Sequence, residues 1–210
     1  MHEKIDRNYH NNNDFVELFE KRLCEYTGST YAVAVDRCTN AILLSLEYLN
    51  KRKETLSVPS NTYLSVPMTL INYGYSIKFR NEKWKGNYKI GQTNVYDYAV
   101  GFEKNMYISG QIQCLSFQQK KRLAIGKGGA ILLDDYDMYQ KLKRMRHDGR
   151  DSSIPTAMDK GIIMGYHMYM SPDEAAKGVL LLNQLSEKYS NGSYKDYPNI
   201  SEFECFKEHI

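Results

Sequence analysis

Little in this sequence points toward a membrane, a metal or a nucleic acid. No apolar run approaches the ~20 residues needed to cross a bilayer. The four cysteines, Cys24, Cys38, Cys114 and Cys205, are scattered, without a Cys-x-x-Cys pair or any metal-ligand spacing. They read as reduced thiols of a reducing compartment, with no metal site. A net charge of only +3 is too small to argue for nucleic acid as a partner. The polar start, Met1 to Asn13, does not read as a signal peptide. The expectation is a cytoplasmic protein, with neither membrane nor nucleic acid among its partners.

What is there is a core. With 42% apolar residues in 210, the chain suits one α/β domain, or one with a small appendage. Asp14 and Glu17 form a capping pattern ahead of Phe15, Leu18, Phe19 and Tyr26 at helical spacing, predicting a helix over 14–26. Thr30 to Val35 is β-branched and almost wholly apolar, as in a strand buried on both faces. It breaks at Asp36-Arg37-Cys38, and Thr39-Asn40 opens a helix over 41–49. A strand, a short polar loop and a helix start suit a phosphate, because backbone N–H groups and the helix dipole face the loop. Taken alone, that start is an ordinary N-cap.

Further strands are expected at 55–59, 76–79, 94–100, 112–117 and 130–133, and helices at 66–73 and 134–147. Ser171-Pro172-Asp173-Glu174 is a strong helix start, with the helix predicted to run to about Tyr189. The segment 80–91, with the single tryptophan Trp84, has no clear period, and the tail from Ser190 reads as polar and irregular. Strands alternating with helices predict an α/β fold, a mostly parallel sheet flanked by helices. Ligands of such sheets bind at the carboxyl ends of the strands.

Five residues fall at those ends: Thr39, Tyr63, Asp97, Ser116 and Lys121. Lys121 stands in Ser116-Phe117-Gln118-Gln119-Lys120-Lys121-Arg122, which closes on Gly126-Lys127-Gly128-Gly129. An amine held on a tight turn, partly desolvated beside other cations, can become a nucleophile toward a carbonyl. A lone Lys-Lys-Arg is more simply a basic surface turn, with Lys120 and Arg122 as solvated neighbours. One cofactor, pyridoxal 5'-phosphate, would use all five residues. Its phosphate suits Thr39 and Ser116, its ring face Tyr63, its ring nitrogen Asp97, and its aldehyde Lys121.

Ser116-Phe117-x-x-x-Lys121, followed by Gly126-x-Gly128-Gly129-Ala130, resembles the lysine signature of the pyridoxal-phosphate sugar aminotransferases of the DegT/StrS group. Phe19-Glu20 through Gly28, Val58-Pro59-Ser60-x-Thr62-Tyr63, Asp97-Tyr98-Ala99, Gly165 to Met170 and Asp196-Tyr197-Pro198 resemble further blocks of that family, in order. The resemblance implies an aspartate-aminotransferase-like large domain (PLP fold type I) over residues 1–189, shortened between 80 and 94. Residues 190–210 would be a tail, the remnant of a small domain otherwise largely absent.

Position by position, it implies Lys121 as Schiff-base lysine and acid/base catalyst, and Asp97 against the pyridine nitrogen. Tyr63 would stack on the ring, and Cys38, Thr39 and Asn40 would hold the phosphate with Ser116. His167 would reach the cofactor of a second subunit in a homodimer with shared active sites. The implied reaction moves an amino group from an amino acid, glutamate foremost, to a keto sugar nucleotide. Related dehydratases carry histidine in place of the lysine. The alternative is a non-catalytic PLP- or sugar-binding remnant that pairs with a full-length enzyme. An RNA-binding module built on Lys120-Lys121-Arg122 is the weakest reading. The sequence departs from the family at Cys38 (usually glycine), Val100 (usually His or Gln), His167 (Asn) and Tyr169 (Arg).

Overall fold

In the computed structural model, which describes residues 14–186 and 190–207, the sheet is sandwiched between two helical layers. The strands are β1 (Tyr31–Val35), β2 (Thr55–Pro59), β3 (Ser76–Arg80), β4 (Tyr88–Lys89), β5 (Val95–Asp97), β6 (Ile112–Ser116) and β7 (Gly129–Leu133). The helices are α1 (Asp14–Thr27), α2 (Cys38–Tyr48), α3 (Ser65–Asn72), α4 (Tyr136–Met145), α5 (Pro172–Leu182) and α6 (Glu204–Lys207).

Strand residues alternate between two cores, as a period of two requires. Val33, Val35, Ile131, Leu133 and Cys114 face α2, α3 and α4, whereas Ala32, Ala34, Ala130, Leu132 and Leu115 face α1 and α5. Both faces are therefore dry, which is why these strands carry almost no polar residue. Each fully buried Leu, Ile or Phe contributes roughly 1.5–3 kcal/mol. On the α1/α5 side Gly178 brings α5 onto Phe19; a Cβ there would lie 2.6 Å from the Phe19 ring.

The main sheet has the order β1-β7-β6-β5-β4, with β2 and β3 as a separate parallel pair. β5 and β6 are parallel, but β7 is antiparallel to both its neighbours and β4 is antiparallel to β5. The α/β class holds, while the strand pairing is mixed where a mostly parallel one was expected. The cause is the connection: residues 117–128 return from β6 to β7 without a crossover helix, and such a return is antiparallel.

Two helix boundaries differ from the expectation by more than two residues. α2 begins at Cys38, because Arg37 with its extended backbone takes the N-cap position and Ala41 N–H already bonds the Arg37 carbonyl. α5 keeps its Ser171/Glu174 capping box but ends at Leu182, with Asn183 as its C-cap. Residues 187–189, at the predicted end of that helix, lie outside the described residues. Tail residues 190–207 pack on the domain, burying Ile200 and setting Phe206 edge-on against Phe79.

Candidate active site

The strand register assembles the site. Val35 stands opposite Gly129, and Gly129 opposite Ser116; two residues further in, Cys114 stands opposite Asp97, and Asp97 opposite Tyr88. The ends of β1, β6 and β5 and the starts of β7 and β4 thus share one edge of the sheet. A cavity of about 980 Å³ opens there. Cys38, Thr39, Asn40, Tyr63, Asp97, Ser116 and Lys121 all line it. His167 does not. It is exposed, paired with Asp148 at 3.1 Å and edge-on to Tyr169.

Lys121 owes its position to the loop around it. Phe117 is fully buried; its N–H bonds the Gly128 carbonyl and its carbonyl accepts from Gly126 N–H. Gln118 closes the turn, accepting Lys121 N–H at 2.8 Å on its backbone carbonyl and Lys120 N–H at 2.8 Å on its side chain. Lys121 is half-buried, its Nζ 3.5 Å from the Tyr197 hydroxyl, whereas Lys120 is exposed. Arg122 corrects the reading of a solvated neighbour. It is half-buried, and its guanidinium donates to the carbonyls of Phe102 and Ser186, tying the loop to the domain.

Glycine sets the distance between this loop and α2. A Cβ on Gly129 would lie 2.5 Å from Arg37 C and from Cys38 N. Gly128 has φ +128°, and a Cβ there would meet Met170 at 2.6 Å. The first turn of α2 therefore lies directly on β7. Among the described residues no side chain caps that helix, so its first N–H groups and its dipole are available to an anion.

Cys38, Thr39 and Asn40, expected to hold a phosphate through backbone and side chain, send their side chains in different directions. The Cys38 thiol turns into the sheet, 3.4 Å from the Cys114 carbonyl and 3.8 Å from Asp97 Oδ1. Asn40 donates to Asp36 at 2.6 Å. Thr39 remains, hydroxyl to hydroxyl with Ser65 at 2.7 Å, which adds Ser65 to the site. Burial drives the Cys38 thiol well up, and the neighbouring Asp97 charge adds to it, so it stays protonated.

Asp97 is buried and accepts from Tyr88 Oη at 2.6 Å and Ala99 N–H at 2.7 Å. Burial pushes its carboxyl up, opposed by those two donors and by the positive Lys121. Trp84, Tyr88, Thr62 and Tyr197 also line the cavity, as do the cations Arg37, Lys120 and Lys127. Sequence reasoning missed Thr62, Ser65 and Tyr88. Of these, Thr62 was within reach, since it adjoins Tyr63 and a buried carboxylate demands donors. No group of His, Cys, Asp or Glu able to hold a metal occurs among the described residues.

The sequence matches no curated protein. Among solved structures, 77 chains match it. One is 3-amino-5-hydroxybenzoic acid synthase, 18% identical, TM-score 0.67, covering 81% of this chain and 56% of that one. Another is the sugar aminotransferase CalS13 from Micromonospora echinospora, 15% identical, TM-score 0.64, covering 83% and 61%. A third is a mutant GDP-4-keto-6-deoxymannose-3-dehydratase with bound GDP-perosamine, 18% identical, TM-score 0.64, covering 83% and 62%. At such identities the likeness shows the fold, the type I fold of PLP-dependent aminotransferases. The chain spans 56–62% of the length of these three structures. The model of the DegT/DnrJ/EryC1/StrS aminotransferase family matches residues 2–81 and 101–192, taking in the start of α2 and the whole lysine loop but not β4 or β5. With that match over most of its length, the chain belongs to the DegT/DnrJ/EryC1/StrS aminotransferase family.

Proposed function

We propose that this chain holds pyridoxal 5'-phosphate in the cavity and is a PLP-dependent aminotransferase, moving an amino group from glutamate or a similar amino acid to a keto sugar nucleotide. One observation carries the reading: a half-buried amine, a buried carboxylate and an uncapped helix start converge on one cavity. The donor set fits the group. The first N–H groups of α2, with the Thr39, Ser65 and Ser116 hydroxyls, suit a phosphate. Tyr63, 63% exposed, offers a ring face. Bound there, the cofactor supplies an aldehyde and a ring that takes up electron density from a substrate carbon.

The protein's part follows from its own groups. Ionised Asp97 would hold a positive ring nitrogen, and Lys121 would hold the aldehyde end through its own amine until the donor's amine takes its place, then serve as the base and acid that moves the substrate proton. A volume of about 980 Å³ leaves room beside a cofactor, and Arg37, Lys120 and Lys127 bring positive charge to the lining. That suits a substrate bearing phosphates. Lys121, where related dehydratases carry histidine, favours transamination. Because His167 lies outside the cavity, on a surface with exposed Ile162 and Met164, we read it as serving the site of a second copy in a homodimer. The free thiols of all four cysteines fit a cytoplasmic location.

The protein should purify yellow or turn so with pyridoxal phosphate, and borohydride should fix the colour covalently to Lys121. Lys121→Ala should lose the adduct; an adduct that persists elsewhere refutes the assignment. Glutamate should shift the spectrum to the amine form. Colour that responds to no amino donor would favour instead a non-catalytic, cofactor-holding partner of a full-length enzyme.

A further inference from the structure

Residues 82–100, between the two matched stretches of the family, contain both Asp97 and the short strand β4 opposite it. Into them a hydrogen-bonded chain runs from Thr62 through Tyr88 to Asp97. Thr62 Oγ1 lies 2.5 Å from Tyr88 Oη, and Tyr88 Oη lies 2.6 Å from Asp97 Oδ2. All three residues are at most 5% exposed, and all three line the cavity.

A phenol has one proton. While Asp97 is ionised it can only accept, so Tyr88 donates to it and must accept from Thr62. The ionised Asp97 thereby fixes the direction of the chain, and Thr62 is the donor at its far end. The other contacts of Asp97 fall on Oδ1: Ala99 N–H at 2.7 Å, and the Cys38 thiol at a long 3.8 Å. That thiol lies nearer the Cys114 carbonyl, at 3.4 Å, and gives Asp97 little. Oδ2 keeps one lone pair without a protein donor among the described residues, beside the cavity. The titratable groups around Asp97 are Tyr88 on β4, Cys38 on α2, Cys114 on β6 and Lys121 on the 117–128 loop. Of these, Tyr88 alone gives Asp97 a short hydrogen bond. The Tyr88 ring is itself wedged by Trp84, 5.0 Å between centroids, so the hydroxyl has little freedom.

We propose that Tyr88, oriented by Thr62, is a positioning residue that holds Asp97 ionised and aims its free lone pair at a cationic ring nitrogen in the cavity. This rests on the function proposed above for its ligand, but not for its geometry. Burial works against a charged Asp97, and the Tyr88 hydroxyl is the largest influence opposing it. A protonated Asp97 could not hold a positive nitrogen, so cofactor binding should weaken where Asp97 takes up its proton.

The test uses the full chain, with Tyr88→Phe, Thr62→Val and Thr62→Ser. The Asp97 side-chain carboxyl is followed by carbon-13 NMR in cofactor-free protein, assigned by its loss in Asp97→Asn. Pyridoxal phosphate affinity is measured against pH. In Tyr88→Phe the Asp97 midpoint should move to higher pH. The acid limb of cofactor binding should follow it upward by about one pH unit, the value of one hydrogen bond to a charged group. Thr62→Val should shift both less, in the same direction, and Thr62→Ser should match the parent. A ring that merely fills space would move neither, because phenylalanine keeps it. An unmoved Asp97 midpoint overturns the proposal, as does a moved midpoint with an unmoved binding limb. A parent protein that binds no pyridoxal phosphate refutes the proposed function instead. The NMR titration then still decides whether Tyr88 holds the carboxylate.

Discussion

Gly129→Ala tests the geometry on which the phosphate end of the cavity depends. The added methyl would lie 2.5 Å from Arg37 C, 2.5 Å from Cys38 N and 2.8 Å from the Leu115 carbonyl oxygen, where ordinary contact begins at 3.4 Å. The overlap is 0.9 Å at its worst, and every neighbour is backbone. No side chain can rotate away. Either β7 or the first turn of α2 must move by nearly 1 Å. Overpacking of this kind costs about 1–3 kcal/mol, and rigid neighbours argue for the upper end. Gly161→Ala is the matched control, since its nearest contacts are ordinary ones at 3.4 and 3.5 Å, and it should stay within about 0.5 kcal/mol of the parent. Urea denaturation reads the stability, and titration with pyridoxal phosphate and with pyridoxal reads the phosphate end separately. Displacing the helix start by 1 Å should weaken phosphate-bearing ligand by roughly 10²-fold. Pyridoxal, with no phosphate, should lose much less. A Gly129→Ala protein as stable as the Gly161→Ala control would refute the packing argument. Equal losses for the two ligands would refute the placing of the phosphate.

Three other perturbations read different parts of the molecule. Arg146 is buried against Glu20 and donates to the Ala34 carbonyl at 2.6 Å, so Arg146→Met should cost about 3–5 kcal/mol. Adding Glu20→Gln should recover much of that loss in urea denaturation, and failure to recover any would mean that the charge on Glu20 is not the cause. An acid raised by burial binds its proton more tightly folded than unfolded, so Asp97 lowers stability as pH rises toward its folded midpoint and above. Cofactor-free Asp97→Asn should therefore be the more stable protein at neutral pH and the equal or less stable one in acid; a destabilised Asn variant at pH 7 would reverse the sign. Trp84, the single tryptophan, lines the cavity against Tyr88 and Tyr197, so pyridoxal phosphate should quench its fluorescence in step with the visible band.

Period and burial made the strands legible: Thr30 to Val35 could only be a strand covered on both faces, and its residues do alternate between two cores. The place of Lys121 at the cavity was legible from its distance to Ser116 and the glycines beyond. Tyr88 was not, because β4 is two residues long within a polar stretch, and only the opposing Asp97 gives it meaning. Arg122 read as a solvated cation because its acceptors are two backbone carbonyls, Phe102 and Ser186, distant in sequence. The tail read as irregular for a similar reason: its buried residues, Ile200 and Phe206, are too few to make a period.

The least expected feature of the fold, the reversed strand β7, is what makes the lysine loop possible. A parallel β7 would have to begin at the opposite edge of the sheet, and the chain leaving Ser116 would be drawn away from the cavity to reach it. Reversal lets β7 begin where β6 ends, at the Ser116–Gly129 pair, so that residues 117–128 stay at the edge where Asp97 and α2 also lie. It also puts the first residue of β7 under the start of α2, where only glycine fits. Lysine position and helix position are thus two consequences of one strand direction. Gly129 couples them, because the same residue that pairs with Ser116 sets how close Cys38 can come.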